Sequence, residues 1–388
     1  MKKKHSMLKK YTKIFTFGLA AFLIIEVGAL IFIDKSYLAE NTNDITVQQI
    51  KNDVTSDATV AKMELAGSEQ DIKVSYDGKF IAYTQNGELQ VANIQTGAKS
   101  TLKMAENMKL AYYKWVYDRD RLIVAESSKY NSYVKLYTLE TKALKSQVNT
   151  SSTFDSTASV SEVEPEEIRD TINNQKVSIK MPTSDYKITD IDCSTSTVIT
   201  YLKLTNSNGN SRLWKLNLPN ENKMYSSIST RTIGKIQSLK DQPELLYENT
   251  TKGNVCVAGQ GMLTINGTSK YQILGFDKLD NVYLAKGNSK SVSEIVYGSL
   301  MKKNTSTDEL ELTLKPEMTS VKLEKSVDID KIYVTFDGSI YTVDDVNNEI
   351  TNVISNKKVT YSGKFVSFYS KGFITREDNT ICQNSLQS

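Results

Sequence analysis

The sequence predicts an all-β fold, a seven-bladed β-propeller behind a single N-terminal transmembrane helix. Three observations predict it. A basic tail runs into a 20-residue apolar stretch at Ile14–Ile33. Short apolar runs separated by Gly, Asn and Asp turns fill the rest of the chain. Those runs recur with a spacing of about 42 residues, the length of a propeller blade.

The tail comes first. Residues 1–13 hold six lysines and no acid. The span that follows, 14–33, has one charge and no proline, and as a helix it covers the ~30 Å hydrocarbon core of a bilayer. Lysines before it place 1–13 in the cytoplasm and the rest outside. The run is longer than the apolar region of a cleaved signal peptide, and the stretch after it, Asp34–Glu40, offers only a poor cleavage site. Glu26 lies within the span. An acid at that depth is costly, so it is read either as a contact with a partner helix or as a protonated or snorkelling side chain. Taking the tail lysines and Glu26 away leaves 42 Lys and Arg against 44 Asp and Glu in 34–388, a net of −2. The alkaline character therefore belongs to the tail, and no nucleic-acid partner is expected.

Residues 34–57 read as a polar stalk, and 58–388 as the extracytoplasmic propeller. Thr59–Leu65 is the strand expected to close the ring, pairing near Gly372–Cys382. Asp77-Gly78 and Asn86-Gly87 are tight-turn dipeptides. Phe80–Tyr83 and Leu89–Val91 are strands around them. Tyr76–Gly87 lies over Tyr361–Gly372 without a gap, matching at Tyr, Gly, Lys, Phe and the last Gly. Between these two ends the inner strand recurs at Leu122–Ala125, Val198–Tyr201, Leu245–Tyr247, Val282–Ala285 and Ile332–Thr335. Outer partners are read at Val134–Leu139, Arg212–Leu218 and Ser339–Val343, each with period-two alternation. One interval holds an insertion at about 149–184. It opens Ser/Thr-rich and continues through Glu162, Glu164, Pro165, Glu166 and Glu167, suggesting a short helix to about Ile172.

The motif at 75–97, Ser-Tyr-Asp-Gly-Lys-Phe-Ile-Ala-Tyr followed by Gly-Glu-Leu-Gln-Val-Ala-Asn-Ile-Gln-Thr-Gly, resembles the propeller repeats of TolB and of the non-catalytic domain of dipeptidyl-peptidase IV. The likeness is good for one blade, fair for the last and loose for the middle five. It implies a WD40-like ring without a catalytic domain, although no Trp-Asp dipeptide occurs. Two packed β-sandwiches are the alternative architecture. One blade cannot bury its own faces, which is why a ring of neighbours is needed.

Chemistry is sparsely signalled. The only histidine is His5, in the tail, which excludes a Ser-His-Asp triad, a Cys-His pair or a histidine metal site in the body. Cys193, Cys256 and Cys382 form no C-x-x-C pair and are read as reduced strand residues, though one pair could bond. Asp190/Asp192 and Asp328/Asp330 share a face if extended, and Asp344/Asp345 are adjacent. Asp277–Asn281 lacks the glycine and terminal glutamate of a calcium loop and reads as a turn. No cofactor, metal or catalytic residue is expected.

The expected role is a membrane-anchored protein-interaction scaffold in a bacterial cell envelope, with a membrane or envelope protein as partner. The alternative is an envelope carbohydrate- or peptide-binding or sensory module. Glu26 is the expected membrane contact. Trp115, Trp214, Glu164, Glu166 and Glu167 are the expected ligand or partner face, with blade-core packing as the competing role for the tryptophans.

Overall fold

The computed structural model describes residues 59–386, apart from 103, 131–132, 141–176, 198, 218–223, 231 and 304–309. It contains seven four-stranded antiparallel sheets. Blade 1 runs through Gln70–Val74, Phe80–Gln85, Glu88–Asn93 and Lys99–Leu102. Blade 2 uses Met108–Trp115, Arg121–Ser128, Tyr133–Glu140 and Val177–Lys180, and blade 3 uses Lys187–Cys193, Ile199–Thr205, Ser211–Asn217 and Met224–Thr230. Blade 4 comprises Ile233–Ser238, Leu245–Asn249, Asn254–Val257 and Gly261–Met262. Blade 5 comprises Tyr271–Phe276, Asn281–Lys286, Ser291–Ser299 and Thr319–Asp328. Blade 6 is built from Ile332–Val334, Ile340–Asp344, Glu349–Asn352 and Lys358–Thr360. Blade 7 takes Lys364–Tyr369, Gly372–Glu377 and Thr380–Ser385 from the C-terminus and Thr59–Glu64 from the N-terminus.

The ring follows from how the strands are buried. Phe80 and Ala82 pack toward blade 2, whereas Ile81 and Tyr83 pack toward blade 7. In blade 2, Leu122 and Val124 face blade 1 while Ile123 and Ala125 face blade 3. A strand covered on both faces must be apolar at every position, which is why these runs lack polar alternation. Each of the seven blade–blade interfaces is one apolar cluster, and the seven together rule out a pair of sandwiches. The cluster between blades 6 and 7 has the smallest buried part, Val343, Ile350, Phe365 and Phe373. Partly buried rings, among them Tyr333, Tyr341, Tyr361 and Phe368, complete it.

The expected N-terminal strand closes the ring, but its partner is Thr380–Ser385, with Gly372–Glu377 one strand further in. Thr59–Glu64 pairs with Thr380–Ser385, Ala61 opposite Gln383 and Glu64 opposite Thr380. The carboxylate of Glu69 locks the junction. It accepts from Ala66 N at 2.6 Å and Gly67 N at 2.9 Å, and pairs with Arg376 at 3.5 Å.

Two readings of the repeats need correction. The expected inner strands of blades 1 to 5, such as Phe80–Tyr83 and Leu122–Ala125, are the second strands, and the first strands line the axis. The match of Tyr76–Gly87 with Tyr361–Gly372 is therefore out of phase, laying a second strand on a first strand. The in-phase partner of Phe80–Gln85 is Gly372–Glu377. Likewise Ser339–Val343, read as an outer strand, falls on Ile340–Asp344, the second strand of blade 6. The signal that marks the first strands is a register irregularity, found in six of the seven: between Gln70 and Lys73, Leu110 and Tyr112, Ile188 and Asp190, Ile233 and Ile236, Ile273 and Gly275, and Phe365 and Ser367. Such bulges sharpen the local twist where a ring is tightest.

The insertion is narrower at its C-terminal side than expected. Val177–Lys180 is the outer strand of blade 2, so the extra chain lies between Glu140 and Val177. A second insertion, in blade 5, contains the hairpin Met301–Lys303 and Leu310–Leu312. Leu312, Leu314 and Met318 pack over blade 4, whose own outer strand is only two residues long. The transmembrane reading of 14–33, the stalk, Glu26 and the acids Glu164, Glu166 and Glu167 lie outside the described residues. Among the described residues no helix is long and apolar enough to cross a membrane.

Candidate functional site

The first strands all run the same way, so their C-terminal ends meet at one mouth of the central channel. A cavity of about 300 Å³ lies there. Its lining includes Tyr76, Lys114, Trp115, Tyr117, Asp192, Gln237, Phe276, Tyr333, Phe336 and Phe368. One wall is charged and polar, and the others are aromatic.

The charged wall comes from blades 2, 3 and 4. Lys114 Nζ lies 3.1 Å from Asp192 Oδ1 and 3.5 Å from Asp190 Oδ1. The Asp190/Asp192 pair thus shares a face, as its i, i+2 spacing suggests. The pair is occupied by a lysine from the neighbouring blade. Asp192, 3% exposed, also accepts from Gln237 Nε2 at 3.0 Å and Ser238 N at 2.6 Å. Asp190 accepts from Tyr112 OH at 3.0 Å. Burial alone would push the Lys114 ammonium down. The carboxylates of Asp192 and Asp190 outweigh it and hold Lys114 above the usual lysine range. Lys235 is ringed by protein, and burial pushes it down; Glu248 offsets part of that. It donates to Leu274 O of blade 5 at 2.5 Å, just as Lys73 donates to Tyr113 O and Lys203 to Gly234 O, both at 2.8 Å. Leu274 and Gly234 are skipped residues at the inner-strand irregularities, so these lysines satisfy carbonyls that the sheets leave over.

Four rings cross the mouth. Tyr117 meets Phe276 edge-on with centroids 4.5 Å apart, and Phe336 at 5.4 Å. Phe276 and Phe336 are 6.0 Å apart, and Tyr76 stands 5.9 Å from Phe336. Blades 1, 2, 5 and 6 thus send one ring each to the same point. Each ring is followed by an aspartate in the turn after the inner strand: Asp77, Asp118, Asp277 and Asp337. Asp77 Oδ1 accepts from Lys79 N at 2.9 Å, Asp277 Oδ1 from Leu279 N at 2.8 Å, and Asp337 Oδ1 from Ser339 N at 3.2 Å. These side-chain-to-backbone bonds fix the turn and so aim the ring. The turns are also tied to each other around the rim. Asp77 N donates to Asp120 at 3.0 Å, Thr195 Oγ1 to Asp118 at 2.7 Å, Lys240 N to Asp280 at 2.6 Å, and Ser370 N to Tyr76 O at 2.9 Å.

The quartet was not singled out in the sequence, yet it has a signal there. An aromatic residue directly followed by aspartate occurs at 76, 117, 276 and 336, and elsewhere only at 154, in the blade 2 insertion. Of the expected face residues, Trp214 is 3% exposed in the core between blades 2 and 3. Trp115 is 7% exposed in the core between blades 1 and 2 and reaches the cavity only as lining; its Nε1 donates to Lys73 O at 3.0 Å. Both tryptophans take the blade-core role named as the competing one, and Trp115 also lines the cavity: their apolar area is worth more inside the blade interfaces than on a rim. Cys193, Cys256 and Cys382 are all free. Burial pushes the Cys193 thiol up to about 12, the opposite of an activated nucleophile. Asp277–Asn281 is a turn held by Asp277, as read. Among the described residues no three His, Cys, Asp or Glu side chains converge in a way that could hold a metal ion.

No family model and no curated protein matches the chain. Among solved structures it is similar to a chain of the mitotic checkpoint complex, at 12% identity and a TM-score of 0.48, over 90% of this chain and 100% of that one. It is also similar to the WD40 domain of coronin from Toxoplasma gondii, at 12% identity and a TM-score of 0.45, over 84% and 83% of the two chains. A third likeness is to the tricorn protease, at 10% identity and a TM-score of 0.47, over 87% of this chain and 35% of that one. The seven-bladed ring stands on this chain's own strand pairing, and the likeness to TolB-type repeats stays with the motif at 75–97.

Proposed function

We propose that this chain is a non-catalytic interaction propeller, held at a membrane by 14–33, whose protein partner docks on the face where the aromatic quartet spans the channel. The observation that carries this reading is the quartet itself. Tyr76, Tyr117 and Phe336 remain partly exposed at the centre of a rigid rim, and Leu279, in the same set of turns, is 71% exposed. Clustered aromatic and apolar side chains within a polar rim have the composition of binding hot spots. The long insertion of blade 2 and the hairpin of blade 5 both follow third strands, whose C-terminal ends lie on this face. They would frame a docked partner, with Glu164, Glu166 and Glu167 among the acids they carry. Glu26 would add a contact within the bilayer. Localisation to the cell envelope follows from the lysine tail and the apolar run.

The test is chemical crosslinking of the full-length protein in its own membrane, followed by identification of attached proteins. Wild type is expected to yield one dominant membrane protein. The double variant Tyr117→Ser, Phe336→Ser is expected to lose at least about ten-fold of that yield, the effect of removing two hot-spot rings. Glu26→Leu is expected to weaken capture further. Undiminished capture by the double variant would overturn the proposed face.

A further inference from the structure

We propose that the partner presents a cationic side chain to this mouth, a lysine ammonium or an arginine guanidinium beside an apolar residue. This deepens the docking reading and rests on it.

The first support is the pairing of π faces with carboxylates. Four rings converge at the mouth, and cations are attracted to ring faces within about 6 Å. Asp118, Asp120 and Asp337 all bear on Tyr76. Burial first, and then those three charges, hold its hydroxyl above the usual tyrosine range. Of the nearby bases, Arg119 is taken up by Asp118 at 2.7 and 2.9 Å, and Lys79 by Asp77 at 2.5 Å, while Lys278, exposed in the Asp277 turn, donates its backbone N–H to Phe336 O at 2.7 Å. Asp337 is exposed, and its oxygens accept only from Thr335 and Ser339, so no cation among the described residues answers it.

A second support lies deeper. Gln237 lines the cavity and is 9% exposed. Its amide nitrogen is committed to Asp192 and to Ser238 O, at 3.0 and 3.3 Å. Its carbonyl oxygen has no donor among the described residues. It opens on the cavity, where an arriving N–H could donate to it. The charges around it balance, with Lys114, Lys235 and Lys203 against Asp190, Asp192 and Glu248. The floor therefore carries no net charge, and the sign of the ligand is set at the mouth by Asp337 and the ring faces. An anionic ligand would meet the exposed Asp337 on entry. Leu279, 71% exposed two residues after the Asp277 of this rim, offers an apolar side chain on the same set of turns.

The test uses full-length protein in detergent micelles and three labelled nine-residue peptides that differ only at the centre: Phe-Lys-Phe, Phe-Gln-Phe and Phe-Glu-Phe. Binding is read by fluorescence anisotropy. The lysine peptide is expected to bind about ten-fold or more tighter than the glutamate peptide, with glutamine between, and raised salt should erode that preference. Asp337→Asn should reduce the lysine preference about five-fold. Its thermal midpoint should be unchanged, because asparagine supports the same exposed turn. Equal or tighter binding of the glutamate peptide would overturn the inference. So would the absence of binding by any of the three while the membrane partner is still captured at the mouth. In that case the docking reading stands and the cationic ligand falls.

Discussion

Lys114 shows how much of the site depends on a single contact between blades. It holds Asp190 and Asp192 together and lets Asp192 present Gln237 to the cavity. Changing Lys114→Met would leave the nearly buried Asp192 without its ammonium, and the expected loss is about 3 kcal/mol. Urea unfolding at neutral pH checks it. The sign with pH follows from the raised pKa. Lys114's contribution is complete below its ordinary value of 10.5 and is lost only as pH climbs through the higher folded value. The stability gap between wild type and Lys114→Met should therefore stay flat from about pH 7 to pH 10. The Asp190/Asp192 spacing was readable in the sequence. Their lysine was not, because it comes from a strand 76 and 78 residues away, and no local pattern records that distance. Which of the two roles the tryptophans take was not legible for a related reason: alternation marks a strand, but in a propeller both of its faces are inside.

Strands themselves were legible wherever the apolar run was continuous and the turn residues were explicit. Asn86-Gly87 is a clear case, with both residues at positive φ, 53° and 83°, between paired strands. Phase within the blade was not legible. First and second strands are both apolar, and what separates them is the irregularity in the first strand, which leaves no composition signal. The closing strand was found because it follows a polar stretch and matches the open edge at the C-terminus. It predicts a sharp dependence on a few residues. A chain starting at 57 should keep the wild-type thermal midpoint of the ring. A chain starting at 66 loses Thr59–Glu64 and exposes the edge of Thr380–Ser385, and its midpoint should fall by more than about 10 °C, or cooperative unfolding should disappear. Differential scanning calorimetry of the two reads the result directly.

The ring as a whole was legible because seven copies at nearly constant spacing allow few other architectures. The mouth was not, because its four rings come from blades 1, 2, 5 and 6 and meet only once the ring closes. Their common mark, an aromatic residue before an aspartate, becomes meaningful only after the turns are placed on one face. The two faces of the ring then differ in kind. The mouth face carries the quartet, Leu279 and the roots of both insertions. The opposite face carries second-to-third strand turns, such as that of Val346, which is 91% exposed. A photo-crosslinking residue placed at Leu279 or at Val346 of the full-length protein in its own membrane separates them most directly. The docking account predicts that the Leu279 probe captures one dominant membrane protein and the Val346 probe does not. Equal capture from both positions, or capture from Val346 alone, would contradict it.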